Sequence, residues 1–131
     1  MNFIDCTITL MEHSFVFHFD THQIEIKDDD KLIALKQLKN VPSRKWIFGI
    51  RPSNLEIAKN DFNTDTNLIP GTIFAVEPLG DSKIIHFQFG DKVILVETTP
   101  DFAGSEGEKV NLKINSDYLL LFDKETEQMV L

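Results

Sequence analysis

The sequence is poorest in sulfur that can react. Cys6 is the only cysteine in 131 residues, so neither an internal disulfide nor a thiolate metal cluster can form. A reducing compartment suits that usage. Basic residues are scarce too: 13 Lys and Arg stand against 21 Asp and Glu, a net charge of −8 that repels phosphate backbones. The densest basic group is Lys36, Lys39, Arg44 and Lys45, and Asp28, Asp29 and Asp30 lie just upstream. No apolar run approaches the ~20 residues of a membrane span, and the N-terminus lacks a basic-then-apolar leader. Motifs are missing as well. No G-x-x-x-x-G-K-S/T loop cradles a nucleotide, and G-x-S-x-G, H-E-x-x-H and Cys-x-x-Cys do not occur.

What is abundant is period-two alternation. The chain is 42% hydrophobic with eleven phenylalanines, ample for one core at this length. Apolar residues alternate in 7–11, in 14–20 (Phe15, Phe17 and Phe19 facing one way, His18 and Asp20 the other) and in 23–27. Strands are also predicted at 72–77, 83–89, 92–97, 109–114 and 118–122. Gly90-Asp91 reads as a tight hairpin, while Pro70-Gly71, Gly80-Asp81-Ser82, 104–107 and 115–117 supply turns. Strands spaced this closely predict an all-β barrel or sandwich. One segment allows a short helix: Leu32, Leu35 and Leu38 recur at near-helical spacing after the Asp28–Asp30 run, which can cap free N–H groups. A polar surface loop is expected over 60–67, and the shift in apolar density there suggests two lobes rather than two independent domains.

The stretch Trp46-Ile-Phe-Gly-Ile-Arg-Pro52 is self-contradictory. It is a strand-like apolar run holding the only tryptophan, yet Gly49 interrupts it and Pro52 ends it. The expected resolution is a strand that bends at Gly49 and turns out at Pro52, with Arg51 at the rim. Elsewhere the chemistry is sparse. His13, His18 and His22 cluster in sequence, but His13 and His18 have opposite parity, so surface histidines are the simpler reading than a metal site. His86 is expected to face solvent. Glu77 and Glu97 close two strands and would need to oppose each other for acid–base work. The aspartate run lacks the Gly and Glu of a calcium loop.

Three ordered stretches resemble one family. Gly49-Ile-Arg51-Pro52 with Leu55 resembles a G-I/V-R-P-E-x-L/I element. Gly71 to Gly80, including Glu77, Leu79 and Gly80, resembles G-x-I/V-x-x-V/I-E-x-L-G. Gly107 to Leu112, then Leu121-Phe122-Asp123-Lys-Glu-Thr126, resembles G-x-x-V-x-L followed by L-F-D-x-x-T-G, and Met1-Asn2-Phe3 resembles a junction that follows a nucleotide-binding domain. The family is the C-terminal regulatory region, with its TOBE domain, of ATP-binding subunits of maltose- and glycerol-3-phosphate-type ABC importers.

The resemblance implies an OB-fold-like β-barrel spanning 1–131 as one region, without its nucleotide-binding domain, as an excised fragment or a stand-alone module. It implies no catalysis and no cofactor in this chain, ATP and Mg being bound by the absent domain. It further implies self-association with a second ATPase subunit, contact with membrane subunits in the full-length protein, and a regulatory protein or small-molecule effector. Placement would be cytoplasmic, at the inner face of the membrane. The family-typical residues are Gly49, Arg51, Pro52, Leu55, Glu77, Leu79, Gly80, Phe122 and Asp123, with Asp123 expected to cap a turn. Departures are Ser53 in place of Glu, Glu127 in place of Gly, and an acidic loop at 98–104 where many relatives are basic. An oxyanion or small-ligand sensor is the alternative. Single-stranded nucleic acid stacking on the phenylalanines meets the opposing charge.

Overall fold

Among the described residues, ten strands form along the apolar runs, most of them with alternating burial. The computed structural model describes residues 1–19, 22–59 and 68–131; Asp20 and the loop expected at 60–67 lie outside them. The strands are β1 Asn2–Leu10, β2 Phe15–Phe19, β3 His22–Ile26, β4 Trp46–Ile50, β5 Leu55–Ala58, β6 Leu68–Pro78, β7 Lys83–Phe89, β8 Lys92–Thr98, β9 Lys109–Ile114 and β10 Leu120–Asp123. They form two five-stranded sheets, ordered β10-β4-β1-β2-β3 and β5-β9-β6-β7-β8, in an all-β fold. Two compact units result: Met1–Asn2 with Ile50–Tyr118, and Phe3–Gly49 with Leu119–Leu131.

In the second unit, β1, β2 and β3 pair antiparallel through Ile8↔Phe17 and Phe17↔Ile24. Phe15, Phe17 and Phe19 are all buried, as their parity predicts. Phe17 and Phe19 each lie 5.5 Å from the Phe48 ring. Such pairs add about 0.5–1.5 kcal/mol beyond area burial.

The expected helix is present as α1, Asp29–Lys36, and buries Leu32 and Leu35. Asp28 is its N-cap, accepting from Lys31 N–H at 3.1 Å, with Asp29 and Asp30 in the first turn. The helix stops two residues short of Leu38, where Gln37 N–H closes onto Ala34 O.

The tryptophan segment is unbroken. β4 runs through Gly49, which pairs with Leu120 in β10 and has no positive φ. Trp46 is fully buried, and its indole N–H donates to Val41 O at 3.0 Å. The Arg44 guanidinium lies 4.8 Å over the Trp46 ring and pairs with the Asp123 carboxylate. Asp123 opposes Trp46 across the ladder, and its Oδ1 also accepts from Glu125 N–H (2.8 Å) and Thr126 N–H (3.2 Å). The turn that Asp123 caps closes with Glu127 N–H on Asp123 O at 2.7 Å, and Glu127 sits at φ 61°. The glycine-type conformation therefore survives without the glycine.

In the first unit, β7 and β8 form a hairpin whose loop is Gly90-Asp91, with Phe89 opposite Lys92. Positive φ at Gly90 alone suits a two-residue turn that follows the strand twist. A bulge between Ile73 and Ala75 shifts the β6–β7 register. β5, which sequence reading did not separate from the Pro52 element, pairs with β9, and the two edge strands β5 and β8 come back beside each other. The sheet thus curls toward the closure of a small barrel. Its core is Leu55, Ile69, Ile73, Ile85, Phe87, Ile94, Val96 and Leu112.

Two outcomes test this account. The Lys31 N–H bond, foremost, lowers the Asp28 pKa from 3.8. A lowered folded pKa means a contribution complete above the ordinary value and lost as pH falls through the folded one. Asp28→Ala should cost about 1 kcal/mol in urea melts at neutral pH, with the gap narrowing once pH drops below 3.8; a pH-independent gap contradicts the capping role. Glu127→Gly should raise stability by about 0.5–1 kcal/mol by relieving left-handed strain, less glycine's entropy. A lower melting temperature would contradict it.

Candidate functional site

Pro52 cannot donate to a ladder, so the chain leaves β4 and makes a 3-10 turn over Pro52–Asn54, closed by Asn54 N–H on Arg51 O at 2.9 Å. Leu55 then begins β5 with its side chain buried. Arg51, the residue before the turn, is exposed, with φ −75° and ψ 146°. The β6–β7 connection is built likewise: Leu79 N–H donates to Ser82 O at 2.9 Å, and Gly80 takes φ 90°. Glu77 and Leu79 are exposed at that end.

These two turns and the start of the β8–β9 connection line one cleft of about 480 Å³. Ser53, Leu55, Glu56 and Ile57 come from the Pro52 turn and β5, Asp81 and Ser82 from the hairpin, Glu97 and Thr98 from β8, and Thr99 and Phe102 from the following loop. Among the described residues no lysine or arginine lines it. Lys83 Nζ donates to Phe102 O at 3.0 Å, and Thr98 Oγ1 to Lys83 O at 3.3 Å. Thr99 donates its hydroxyl to Asp101, which, as the first cause, holds that carboxyl below its ordinary range. Phe102 is seated by Gly104: a Cβ there would come within 2.3 Å of the ring. Lys59 Nζ lies 5.1 Å over the ring and pairs with Glu108 at 3.2 Å.

A smaller cavity of about 310 Å³ adjoins Ser53, Asn54 and Glu56, with Lys113 and Asn115. In the other unit, a cavity of about 400 Å³ is lined by Ser43, Arg44, Lys45, Asp123, Lys124 and Glu125. Its charges are largely engaged, Arg44 by Asp123 and Lys124 by Asp5 at 2.7 Å.

The family-typical residues therefore divide. Arg51, Pro52, Leu55, Glu77, Leu79 and Gly80 gather at the two turns in the first unit, with Leu55 itself in the cleft. Gly49, Phe122 and Asp123 belong to the β4–β10 seam in the second, where Phe122 meets Phe3 edge-on at 5.9 Å.

Glu77 and Glu97 both stand opposite Ile84, two strand spacings or roughly 10 Å apart, too far for a shared proton. His18 Nε2 bonds Thr9 Oγ1 at 2.9 Å, and His86 is half-buried. Among the described residues no three His, Cys, Asp or Glu are placed to hold a metal ion. Phe102, Asp81 and Ser82 escaped the sequence reading as site residues, since only the hairpin and loop returns bring them beside Ser53.

Comparison with known proteins follows this geometry. Over 131 residues the chain is 26% identical to the Bacillus subtilis (strain 168) protein "Uncharacterized ABC transporter ATP-binding protein YurJ", covering 99% of this chain and 35% of that protein. It is 29% identical over 132 residues to the trehalose/maltose import ATP-binding protein MalK of Thermococcus litoralis, covering 99% and 34%. It is also 29% identical over 87 residues to the sulfoquinovosyl glycerol transport ATP-binding protein SmoE of Agrobacterium fabrum, covering 66% and 23%. The chain thus spans at most about a third of the length of these curated relatives. In fold it is similar to the cytoplasmic molybdate-binding protein ModG, with TM-score 0.65 at 12% identity over 92% of this chain and 94% of that one. The profile of the TOBE domain matches residues 48–122, from the buried half of β4 through both turns to β10. The chain belongs to the TOBE domain family.

Proposed function

We propose that this chain is the non-catalytic regulatory and dimerisation region of the ATP-binding subunit of a carbohydrate-type ABC importer. The observation that carries the reading is the TOBE match over 48–122 together with near-complete coverage of this chain by transporter ATP-binding proteins three times its length. One of those relatives is named for trehalose/maltose import, and a further one, matched over 66% of this chain, for sulfoquinovosyl glycerol transport. ATP and magnesium would bind the nucleotide-binding domain of the full-length protein, which would sit at the inner face of the membrane on its membrane subunits. Among the described residues no helix is long and apolar enough to cross a membrane.

The mechanism is mechanical. A curled sheet of rigid strands fixes the position of whatever its turns touch. An effector, or a regulatory protein, that prefers one arrangement of two subunits shifts the balance by its differential affinity. Exposed Arg51, Glu77 and Leu79 offer contact groups at the turns, while Pro52, Leu55 and Gly80 shape them. The oxyanion-sensor alternative draws on the ModG fold, but Glu56, Asp81 and Glu97 line the cleft and, among the described residues, no lysine or arginine does.

Light scattering across a concentration series should show reversible dimers of the isolated chain, and a malachite-green assay should show no ATP turnover. A strict monomer at every concentration contradicts the dimerisation role, and measurable turnover contradicts the non-catalytic one. Calorimetry with molybdate should give no heat; saturable heat would favour the sensor.

A further inference from the structure

The lining of the cleft in the first unit is rich in acceptors. Glu56, Asp81 and Glu97 accept only, and the Thr98 and Thr99 hydroxyls already donate, to Lys83 O and Asp101, so they add acceptors rather than donors to the lining. Ser53 and Ser82 can both donate and accept. Leu55 and the Phe102 ring add apolar surface to the lining, and the ring packs against Gly104. Among the described residues, three lysines lie around the cleft without lining it: Lys83 donates to Phe102 O, Lys59 pairs with Glu108 over the ring, and Lys113 stands opposite Glu56 across the β5–β9 ladder.

Three ligand chemistries can be weighed against that lining. An oxyanion brings only acceptors, and each carboxylate near it repels it. An ammonium satisfies the carboxylates but offers nothing for the serine donors. A polyhydroxylated molecule matches every part: its hydroxyls donate to the carboxylates, accept from Ser53 and Ser82, and its C–H face lies on Phe102. The volume, about 480 Å³, falls within the range of small-molecule sites.

We infer that this cleft binds a neutral, polyhydroxylated small molecule of the sugar class. The inference rests on the regulatory reading and deepens it by naming the chemical class of the effector. Ser53 is central because it lines the cleft at an exposed position, where a longer acidic side chain would take up its space. A glutamate there would crowd the lining and add a fourth carboxylate, at an exposed position where no hydrogen bond among the described residues uses the serine hydroxyl.

Titration calorimetry on the intact chain with trehalose as the neutral probe, spermidine as the cation and molybdate as the oxyanion tests this. Trehalose should bind in the millimolar range or tighter, with affinity unchanged from low to high salt because no net charge is recognised. Ser53→Glu should weaken it by about tenfold or more with the melting temperature retained, and Phe102→Ala should weaken it as well. Absence of trehalose binding, affinity undiminished in Ser53→Glu, or saturable salt-sensitive binding of spermidine or molybdate in its place would each overturn the inference. Dimerisation by light scattering is read independently, so failure here is distinct from failure of the regulatory reading.

Discussion

A carboxylate only 3% exposed sets the terms for one half of this molecule. Burying Asp123 is costly unless its charge is paired and its lone pairs are filled. Arg44 supplies the charge, and two backbone N–H groups of the following turn fill the other oxygen. The same arginine lies over Trp46, whose indole N–H is held by Val41 O. One carboxylate therefore ties three pieces of chain: the segment entering β4, the end of β10, and the terminal turn that reaches Glu127. Replacing any one group strands the others, which is why a buried pair is costly to break even where its net worth is modest.

The other unit is organised by turns rather than by charge. Pro52 ends one ladder and Gly80 closes a hairpin, and both choices follow from which backbone conformations those residues permit. The curl of the β5-β9-β6-β7-β8 sheet then brings the turns to one cleft. Backbone geometry gives the lining side chains their neighbours, and Lys59, paired with Glu108, and Lys83 then hold the Phe102 segment in place. That suits a domain whose proposed work is to hold contact groups in place and to read a ligand, with no proton or phosphoryl group to move.

Much of this was legible before any coordinates. Period-two alternation located the strands at 83–89 and 109–114 to the residue, because each has one buried and one solvated face. The helix start was legible from Asp28, since a cap is a local hydrogen bond; its end was not, because Leu38 continues the spacing after the backbone has already turned. Gly49 looked like a bend yet lies in a regular ladder, a case where pairing with β10 overrides the local weakness of glycine. β5 was hidden because four residues behind a proline carry little periodic signal. Asp123 was read as a turn cap, and it is one, but its partner Arg44 lies 79 positions away (123 − 44) and sequence reading had grouped that arginine with nearby lysines. The cleft was least legible, since its walls come from segments that only the sheet curl assembles.

The claim that the Arg44–Asp123 pair organises its unit is open to a direct measurement. A double-mutant cycle with Arg44→Gln, Asp123→Asn and the double variant, followed by urea denaturation, isolates their coupling, and asparagine retains an acceptor for the turn. The account predicts a coupling of about 1–3 kcal/mol, each single change costing nearly as much as both together. Additive costs, to within about 0.5 kcal/mol, would contradict it.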